Sequence, residues 1–201
     1  MIKNIIFDFG NVLTRFYADE LSAYQVADEA ERKTVAEVVF DRLYWDRLDK
    51  GAITDDEVKD GIRTRLPDEL TEKACAVYDN WVKNLVPVEN MEQVVRDLSK
   101  AGVKLYLLSN ISNKFASEYA DVPWIKDLFS YFEGIVLSAP IGLIKPDVEI
   151  FEYILNKYDL KREDCLFVDD TLINIEGAQK AGIQTYHFDG DAEKFRKYLG
   201  I

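Results

Sequence analysis

IKNIIFDFGNVL (Ile2–Leu13) is the stretch of the chain that decides the fold. Its first half is short, apolar and β-branched, which is typical of a strand buried on both faces in a parallel sheet. The run ends at Asp8, and Gly10 and Asn11 then turn the chain because both residues tolerate unusual dihedrals. An acid at the carboxyl end of a central parallel strand lies where open α/β sheets bind ligands. This position favours a functional role for Asp8, with simple turn initiation as the alternative.

Composition restricts the function classes that the chain can serve. Its 201 residues allow one domain, or one domain with a sizeable insertion. A hydrophobic fraction of 48% and a charged fraction of 31% are ordinary for a soluble globular protein. The net charge of −12 repels nucleic acid and anionic membranes, so we expect neither as a partner. An anionic substrate would need local cations or a metal ion where it binds.

The termini and the cysteines indicate a reducing compartment. The N-terminus lacks a basic segment followed by a long apolar run, so we expect no signal peptide. Cys75 and Cys165 lie far apart, and we interpret them as reduced core residues of a cytoplasmic protein. With His187 as the single histidine, a zinc site rich in histidine and cysteine is implausible.

The second half of the chain alternates between strand and helix patterns. Predicted strands cover 103–108, 134–138, 165–168 and 183–188, and predicted helices cover 88–101, 147–158, 173–181 and 192–199, with a helical stretch up to about 132 between the first two strands. Strands separated by helices imply right-handed crossovers and a parallel sheet. The predicted fold class is therefore α/β, a Rossmann-like three-layer sheet.

Residues 15–85 show helical patterns and no convincing strand. Thr54 and Glu57 form a capping-box sequence, so a helix should begin there and run to about residue 66. The stretch Tyr44–Gly51 is expected to interrupt the helical pattern. We predict a core domain made of residues 1–14 and 86–201, with residues 15–85 inserted as a helical cap.

Four strand exits carry polar side chains of complementary chemistry. They are Asp8, the pair Ser109-Asn110, Lys145, and the pair Asp169-Asp170. Parallel strands end on one edge of a sheet, so these groups can converge in one crevice. A carboxylate can act as a nucleophile, a hydroxyl and neighbouring amides can hold phosphoryl oxygens, and lysine offers a positive charge. The acids together offer oxygen ligands to a hard cation such as Mg²⁺.

With these motifs in place, the chain resembles a haloacid dehalogenase-superfamily hydrolase with a small helical cap. The similarity covers essentially the whole chain and rests on Asp8–Leu13, Ser109-Asn110, Lys145–Asp147 and Asp169–Asn174. The first motif is most similar to a subgroup with an Asp-Leu-Gly-Asn motif, which includes sugar-phosphate phosphatases resembling bacterial glucose-1-phosphatase.

The resemblance implies a covalent mechanism. Asp8 would attack phosphorus to give an aspartyl-phosphate, which water then hydrolyses, and Lys145 would assist as the second catalytic residue. Mg²⁺ would offset the repulsion between carboxylate and phosphate. The resemblance places this ion on Asp8, the Gly10 carbonyl and Asp170, with Asp169 binding through water, and the phosphate on Ser109, Asn110 and Lys145.

Gly10 departs from the pattern of the wider family. Most phosphatases of the superfamily carry an aspartate at this position, two residues after the nucleophile, where it protonates the leaving group. A glycine carbonyl still serves a metal ion, but Asn11 cannot replace the acid because a carboxamide does not titrate. A missing acid favours substrates with a good leaving group, such as a hexose 1-phosphate, unless the cap supplies another proton carrier.

The remaining expectations concern specificity and the alternatives. Trp45, Arg47 and Arg15 of the cap are candidates for substrate recognition, against the alternatives of core packing and solvated surface charge. The substrate is expected to be a small phosphomonoester, and the protein a monomer or weak homodimer. Two other functions stay open. One is a metal-independent 2-haloacid dehalogenase, which has no need for the acid pair at 169–170, and the other is a binding or regulatory module that keeps the fold.

Overall fold

The computed structural model describes residues 2–201, and its centre is a parallel sheet. Within this range the strands are β1 (Asn4–Phe7), β2 (Thr14–Arg15), β3 (Val86–Pro87), β4 (Lys104–Ser109), β5 (Gly134–Leu137), β6 (Cys165–Asp169) and β7 (Gln184–His187). Five of them form one sheet in the order β5-β4-β1-β6-β7, and every pair of adjacent strands in it is parallel. This confirms the predicted α/β parallel sheet.

The α-helices lie between these strands and after the last of them. Within residues 2–201 they are α1 (Ala18–Ala23), α2 (Glu29–Val39), α3 (Arg42–Asp49), α4 (Asp55–Arg65), α5 (Asp68–Asn80), α6 (Met91–Lys100), α7 (Asn113–Glu118), α8 (Pro123–Phe129), α9 (Ser138–Ile141), α10 (Val148–Lys157), α11 (Leu172–Lys180) and α12 (Ala192–Leu199). None of the helices in this part of the chain is long and apolar enough to cross a membrane.

The strand β1 occupies the middle of the sheet, as its apolar sequence predicts. It pairs with β4 up to Phe7 opposite Leu107, and with β6 up to Phe7 opposite Val168. The carboxyl ends of the three strands therefore align, and the residues that follow them emerge along one edge.

Alternating side chains of the sheet pack against helices on both faces. On one face the ring of Phe7 packs edge-on against Phe195 of α12, with ring centroids 6.0 Å apart. On the other face Phe167 packs edge-on against Phe151 of α10 at 5.3 Å. Each face carries its own cluster of buried apolar side chains, so the core has three layers.

Five helices, α1 to α5, lie between β2 and β3 in the chain. These two short strands pair antiparallel, and the Thr14 hydroxyl donates a hydrogen bond of 2.9 Å to the Val86 carbonyl. The capping box forms as predicted, because Thr54 and Glu57 hydrogen-bond reciprocally at the start of α4. The buried side chains of these helices join the apolar cluster on the Phe7 face of the sheet.

Several local expectations were wrong. Tyr44–Gly51 does not interrupt the helices, because most of it is α3, which Asp41 caps by accepting a hydrogen bond from the Leu43 amide. Arg15 belongs to a strand, and a two-residue strand is too short to show a periodic pattern. The short helix α9 follows β5 directly, although the sequence predicted no helix between residues 138 and 147.

Candidate active site

The carboxyl edge of the sheet carries a buried ion cluster built around Lys145. The ammonium nitrogen of Lys145 lies 2.7 Å from Oδ1 of Asp8 and 2.7 Å from Oδ2 of Asp169. Asp8 follows β1 directly, and Asp169 is the last residue of β6, so adjacent strands present the two carboxylates. All three side chains are at least nine-tenths buried. We call these residues the carboxylate–lysine cluster.

Burial and charge act in opposite directions within this cluster. Burial alone lowers the pKa of Lys145, but the charges of Asp169 and Asp8 outweigh it and raise that pKa above its usual value. Burial raises the pKa of Asp8, and the charge of Lys145 opposes the rise. The buried nucleophile candidate is therefore held beside a lysine that stays protonated.

Three acids at this edge suit a divalent cation. Asp8, Asp169 and Asp170 each offer a carboxylate oxygen, and these oxygens all lie within 4.8 Å of one another. Burial raises the pKa of Asp170, and the charge of Asp169 raises it further. One lysine cannot balance three carboxylates, so a hard divalent ion such as Mg²⁺ fits both the oxygen donors and the excess negative charge.

The two acids at the end of β6, Asp169 and Asp170, have different surroundings. The Oδ1 atom of Asp169 accepts a hydrogen bond of 2.8 Å from the Thr171 amide, and both oxygens accept from Nδ2 of Asn174 at 3.1 Å. With Lys145 in addition, Asp169 is occupied by protein donors. Asp170 is only partly buried and has longer contacts of 3.3 Å with Asn11 and Thr171. Asp170 is therefore the better direct ligand, and Asp169 positions Lys145.

Asn11 links the exit of β1 to the exit of β6. Its φ of 53° lies in the left-handed region that asparagine tolerates, and its Oδ1 accepts a hydrogen bond of 2.9 Å from the Phe16 amide. Its Nδ2 donates to Oδ2 of Asp170 at 3.3 Å. Asn11 thus orients an acid of the site, a role that its sequence position did not reveal.

The two residues at the end of β4 take different places. Ser109 is the last residue of the strand, is almost fully buried and lines the cavity above the cluster. The side chain of Asn110 pairs with the main chain of Lys145, donating to its carbonyl at 2.9 Å and accepting from its amide at 2.8 Å. Asn110 therefore positions Lys145, and its carboxamide is not free for a phosphate group in this arrangement.

A cavity of about 650 Å³ opens above the carboxylate–lysine cluster. Its floor includes Asp8, Ser109 and Lys145, and part of its wall comes from α3. Aromatic and aliphatic side chains provide much of the remaining lining: Phe16, Phe40, Trp45, Trp81, Leu85, Ile111, Ile144 and Ile173. The cavity thus has a charged floor and a largely apolar wall.

The three specificity candidates do not share one location. Trp45 and Arg47 both line this cavity, although Trp45 is nine-tenths buried and its indole nitrogen donates to the Val39 carbonyl at 2.6 Å. Arg15 lies instead at a separate cavity of about 270 Å³, where it forms an ion pair with Glu20. Arg15 does not line the large cavity, and its guanidinium is paired with Glu20. Its position therefore argues against a role in recognising a ligand bound in the large cavity.

Asp49 is a site candidate that sequence reasoning missed. It is the last residue of α3 and lines the same cavity as Asp8. Burial raises its pKa to about 7, with Asp46 and Asp8 adding to the rise and Arg42 and Lys145 opposing it. In the sequence it lies within a charged stretch, Asp46–Lys50, and nothing there distinguishes it from a solvated acid.

Known proteins support one family assignment. A sesquiterpene phosphatase of Aspergillus oryzae is 29% identical over 185 residues, 92% of this chain and 89% of that protein. A D-ribitol-5-phosphate phosphatase of Bacteroides thetaiotaomicron is 28% identical over 198 residues, 96% of this chain and 95% of that protein.

The solved structures give the same fold. A HAD-family enzyme of Bacteroides thetaiotaomicron, in complex with magnesium and inorganic phosphate, matches with a TM-score of 0.71 and 23% identity, over 97% of this chain and 99% of that one. The family model of haloacid dehalogenase-like hydrolases matches residues 2–182, and this chain therefore belongs to that family.

Proposed function

We propose that this protein is a Mg²⁺-dependent phosphatase that hydrolyses a small phosphomonoester through an aspartyl-phosphate on Asp8. The observation that carries the proposal is the position of Asp8 at the floor of the cavity, beside Lys145 and within 4.8 Å of two further acids. Two relatives that match over nine-tenths of the chain are named as phosphatases, which supports the reaction class.

Each residue of the cluster takes one task in this reaction. Asp8 forms the bond to phosphorus, and Lys145 offers positive charge where the phosphoryl oxygens gather. Asp169 and Asn110 hold Lys145 in place through its ammonium group and its main chain. Asp8, Asp170 and the Gly10 carbonyl would hold Mg²⁺, which when bound reduces the repulsion between the carboxylate and the phosphate dianion.

The metal requirement provides the first test. The purified protein should hydrolyse an aryl phosphate with Mg²⁺, lose turnover in excess chelator and regain it when Mg²⁺ is restored. Full turnover in chelator, or halide release from a 2-haloacid without metal, would favour the dehalogenase alternative. Absence of turnover on every phosphate ester would favour a binding module with this fold.

We further propose that residues 15–85 act as a cap on a core of residues 1–14 and 86–201. The pairing of β2 with β3 closes the inserted segment at its base, and α3 contributes Arg42, Trp45 and Arg47 to the cavity wall. Caps of this kind exclude water and set substrate choice. Replacing Trp45 by alanine should therefore change the ranking of large substrates more than the turnover of a small aryl phosphate.

The substrate proposed first is a sugar phosphate such as a hexose 1-phosphate. The resemblance of the first motif supports it, and the ribitol-phosphate phosphatase among the relatives acts on a phosphorylated sugar alcohol. Arg42, Arg47 and Asp46 give the cavity wall polar groups for hydroxyl recognition.

A second candidate is the phosphate of an apolar alcohol. The specific observation in its favour is the aromatic wall formed by Phe16, Phe40, Trp45 and Trp81, which suits a hydrocarbon chain. One relative is named a sesquiterpene phosphatase, and sesquiterpenes are apolar molecules. A panel with glucose 1-phosphate, glucose 6-phosphate, ribitol 5-phosphate and farnesyl phosphate, compared by kcat/KM, separates the two classes.

A further inference from the structure

The reaction proposed above needs a proton carrier that the first motif does not provide. Gly10 has no side chain, and the carboxamide of Asn11 does not titrate and is engaged by Phe16 and Asp170. Asp8, Asp169 and Asp170 form the group of acids that suits the cation. The carrier must therefore be another group that lines the cavity.

Two further acids, Asp46 and Asp49, line this cavity. Asp46 is more than half exposed and pairs with Arg42 at 3.0 Å, so it is a solvated member of a surface ion pair. The Oδ1 atom of Asp49 is buried and has no hydrogen-bond partner among residues 2–201. A buried carboxyl oxygen without a hydrogen-bond donor destabilises the folded state. Such a group is therefore a candidate for a functional role.

Asp49 is held against the core by its main chain. The Ser138 hydroxyl accepts a hydrogen bond of 2.8 Å from the Ile111 amide and donates one to the Asp49 carbonyl. Ile111 follows β4 and Ser138 follows β5, so Asp49 is tied to the exits of two strands of the sheet.

Gly51 reinforces this docking. It has a φ of +69°, and a Cβ atom there would lie 2.5 Å from the Ala139 carbonyl oxygen. The close approach of the end of α3 to α9 thus depends on the glycine. The main chain of Asp49 is consequently fixed to the sheet of the core, and this fixes the position of its carboxyl relative to Asp8.

We propose that Asp49 is the proton carrier of the phosphatase reaction. This inference rests on the proposed function and replaces the missing acid at position 10 with one supplied by the cap. The charged groups facing Asp49 are Arg42 and Asp46 from its own helix and Asp8 and Lys145 from the core. With a pKa of about 7, the carboxyl can both donate and accept a proton near neutral pH.

The two half-reactions balance with Asp49 in this role. In the first, an Asp8 oxygen bonds to phosphorus, the bond from phosphorus to the substrate oxygen breaks, and that oxygen takes the Asp49 proton. In the second, a water oxygen attacks the phosphoryl group, its proton passes to the Asp49 carboxylate, and the bond from phosphorus to Asp8 breaks. Inorganic phosphate leaves, and both aspartates return to their initial states.

A proton carrier has a signature in leaving-group dependence. Asp49→Asn should slow formation of the phosphoenzyme from an alkyl phosphate by about 10²–10⁴-fold. With an activated aryl phosphate, whose leaving oxygen needs no proton, the burst of phenol release should keep nearly its wild-type rate. The steady state after this burst should be slow, because hydrolysis of the phosphoenzyme needs the same carboxyl as a base.

The experiment combines rapid-quench kinetics on both substrates with a rescue. A Cβ at Gly10 would meet no atom within 4 Å, so Gly10→Asp can be added to Asp49→Asn, and the pair should recover part of the lost rate on the alkyl phosphate. Asp56→Asn, an exposed acid at the start of α4, is the control and should match the wild type. Asp49→Ser is the second variant if the asparagine form folds poorly.

In the wild type, ¹³C NMR of the metal-free protein should show a carboxyl titrating near neutral pH that is absent from Asp49→Asn.

The outcomes separate this inference from the function beneath it. Equal losses on alkyl and aryl phosphates, or no loss on either, would overturn the role of Asp49 and leave the phosphatase intact. A wild-type protein that forms no phosphoenzyme from either substrate would overturn the proposed function, and the inference with it.

Discussion

The carboxylate–lysine cluster and the Asp49 carboxyl handle buried charge in opposite ways. In the cluster, Lys145 bonds to Asp8 and Asp169 at 2.7 Å, and Asp169 accepts further hydrogen bonds from Thr171 and Asn174. At Asp49 a carboxyl oxygen is buried without any donor within residues 2–201. The two regions therefore differ in their partners: a lysine and neutral donors compensate the carboxylates of the cluster, whereas the buried oxygen of Asp49 has no such compensation.

The largest expected effect comes from Asp8→Asn. The swap is nearly isosteric and removes a buried charge, so the fold should persist while turnover falls by at least about 10⁴-fold because the nucleophile is lost. Aryl phosphate turnover and phosphoenzyme trapping measure it, with Asp56→Asn as the exposed control. Near-normal turnover by a preparation free of wild-type enzyme would remove Asp8 from its assigned role.

The second-largest expected effect is a loss of stability when the Lys145 charge is removed from the carboxylate–lysine cluster. Lys145→Met leaves Asp8 and Asp169 buried without their cation, which should lower the free energy of unfolding by about 3–5 kcal/mol. Asp169→Asn added to Lys145→Met should restore part of the loss, because one uncompensated charge is gone. Urea unfolding of the metal-free protein at neutral pH checks this, and an unchanged unfolding midpoint in the single variant would contradict the assigned role of Lys145.

The unpartnered carboxyl predicts a pH-dependent effect of moderate size. The folded-state pKa of Asp49, about 7, lies above the unfolded value of 3.8, so the folded state retains the proton longer as pH rises. Stability contributed by this group is present below pH 4 and is lost between about pH 4 and 7. Asp49→Asn should therefore raise the Tm above that of the wild type at pH 8, where the buried carboxyl is charged. At pH 4.5, where the folded-state carboxyl is protonated, the increase in Tm should be smaller. A constant Tm difference across this range would show that Asp49 ionises normally.

The smallest effect separates two arginines outside the cluster. Arg47 lines the large cavity, whereas Arg15 lies at the smaller one and pairs with Glu20. Arg47→Ala should raise KM for the preferred substrate by several-fold, and Arg15→Ala should leave it unchanged, because an exposed ion pair contributes little. A larger KM change in Arg15→Ala than in Arg47→Ala would reverse this assignment.

Much of the core followed from local pattern. The apolar run before Asp8 predicted a central strand, and the alternation after residue 86 predicted the parallel sheet, because strand and helix periods are local properties. The helix α3 escaped prediction since its charged and aromatic residues mask the apolar period. The pair β2–β3 escaped because two residues cannot show a period at all.

The candidate site also combines residues that the sequence pattern predicts with contacts that it does not predict. Residues at strand exits, such as Asp8 and Ser109, could be proposed from the sequence because parallel strands end at one edge, and both line the same cavity. The role of Asn110 in holding Lys145 was not found, because that contact joins two loops through side-chain and main-chain atoms. Nor does the order of residues place Arg15 outside the large cavity, since that depends on how the inserted helices pack.

By itself the sequence determined the strand before Asp8, the acid pair at the end of β6, and the absence of a carboxyl at Gly10, since each is a matter of residue type and local period. Only the tertiary structure decided that Lys145 lies between two carboxylates and that Asp49 lines the cavity of Asp8. The physical reason is that the ionisation and the partners of a buried charge depend on groups brought together from distant segments. The pKa of about 7 for Asp49 follows from burial against the core, which no local pattern of residues 46–50 contains.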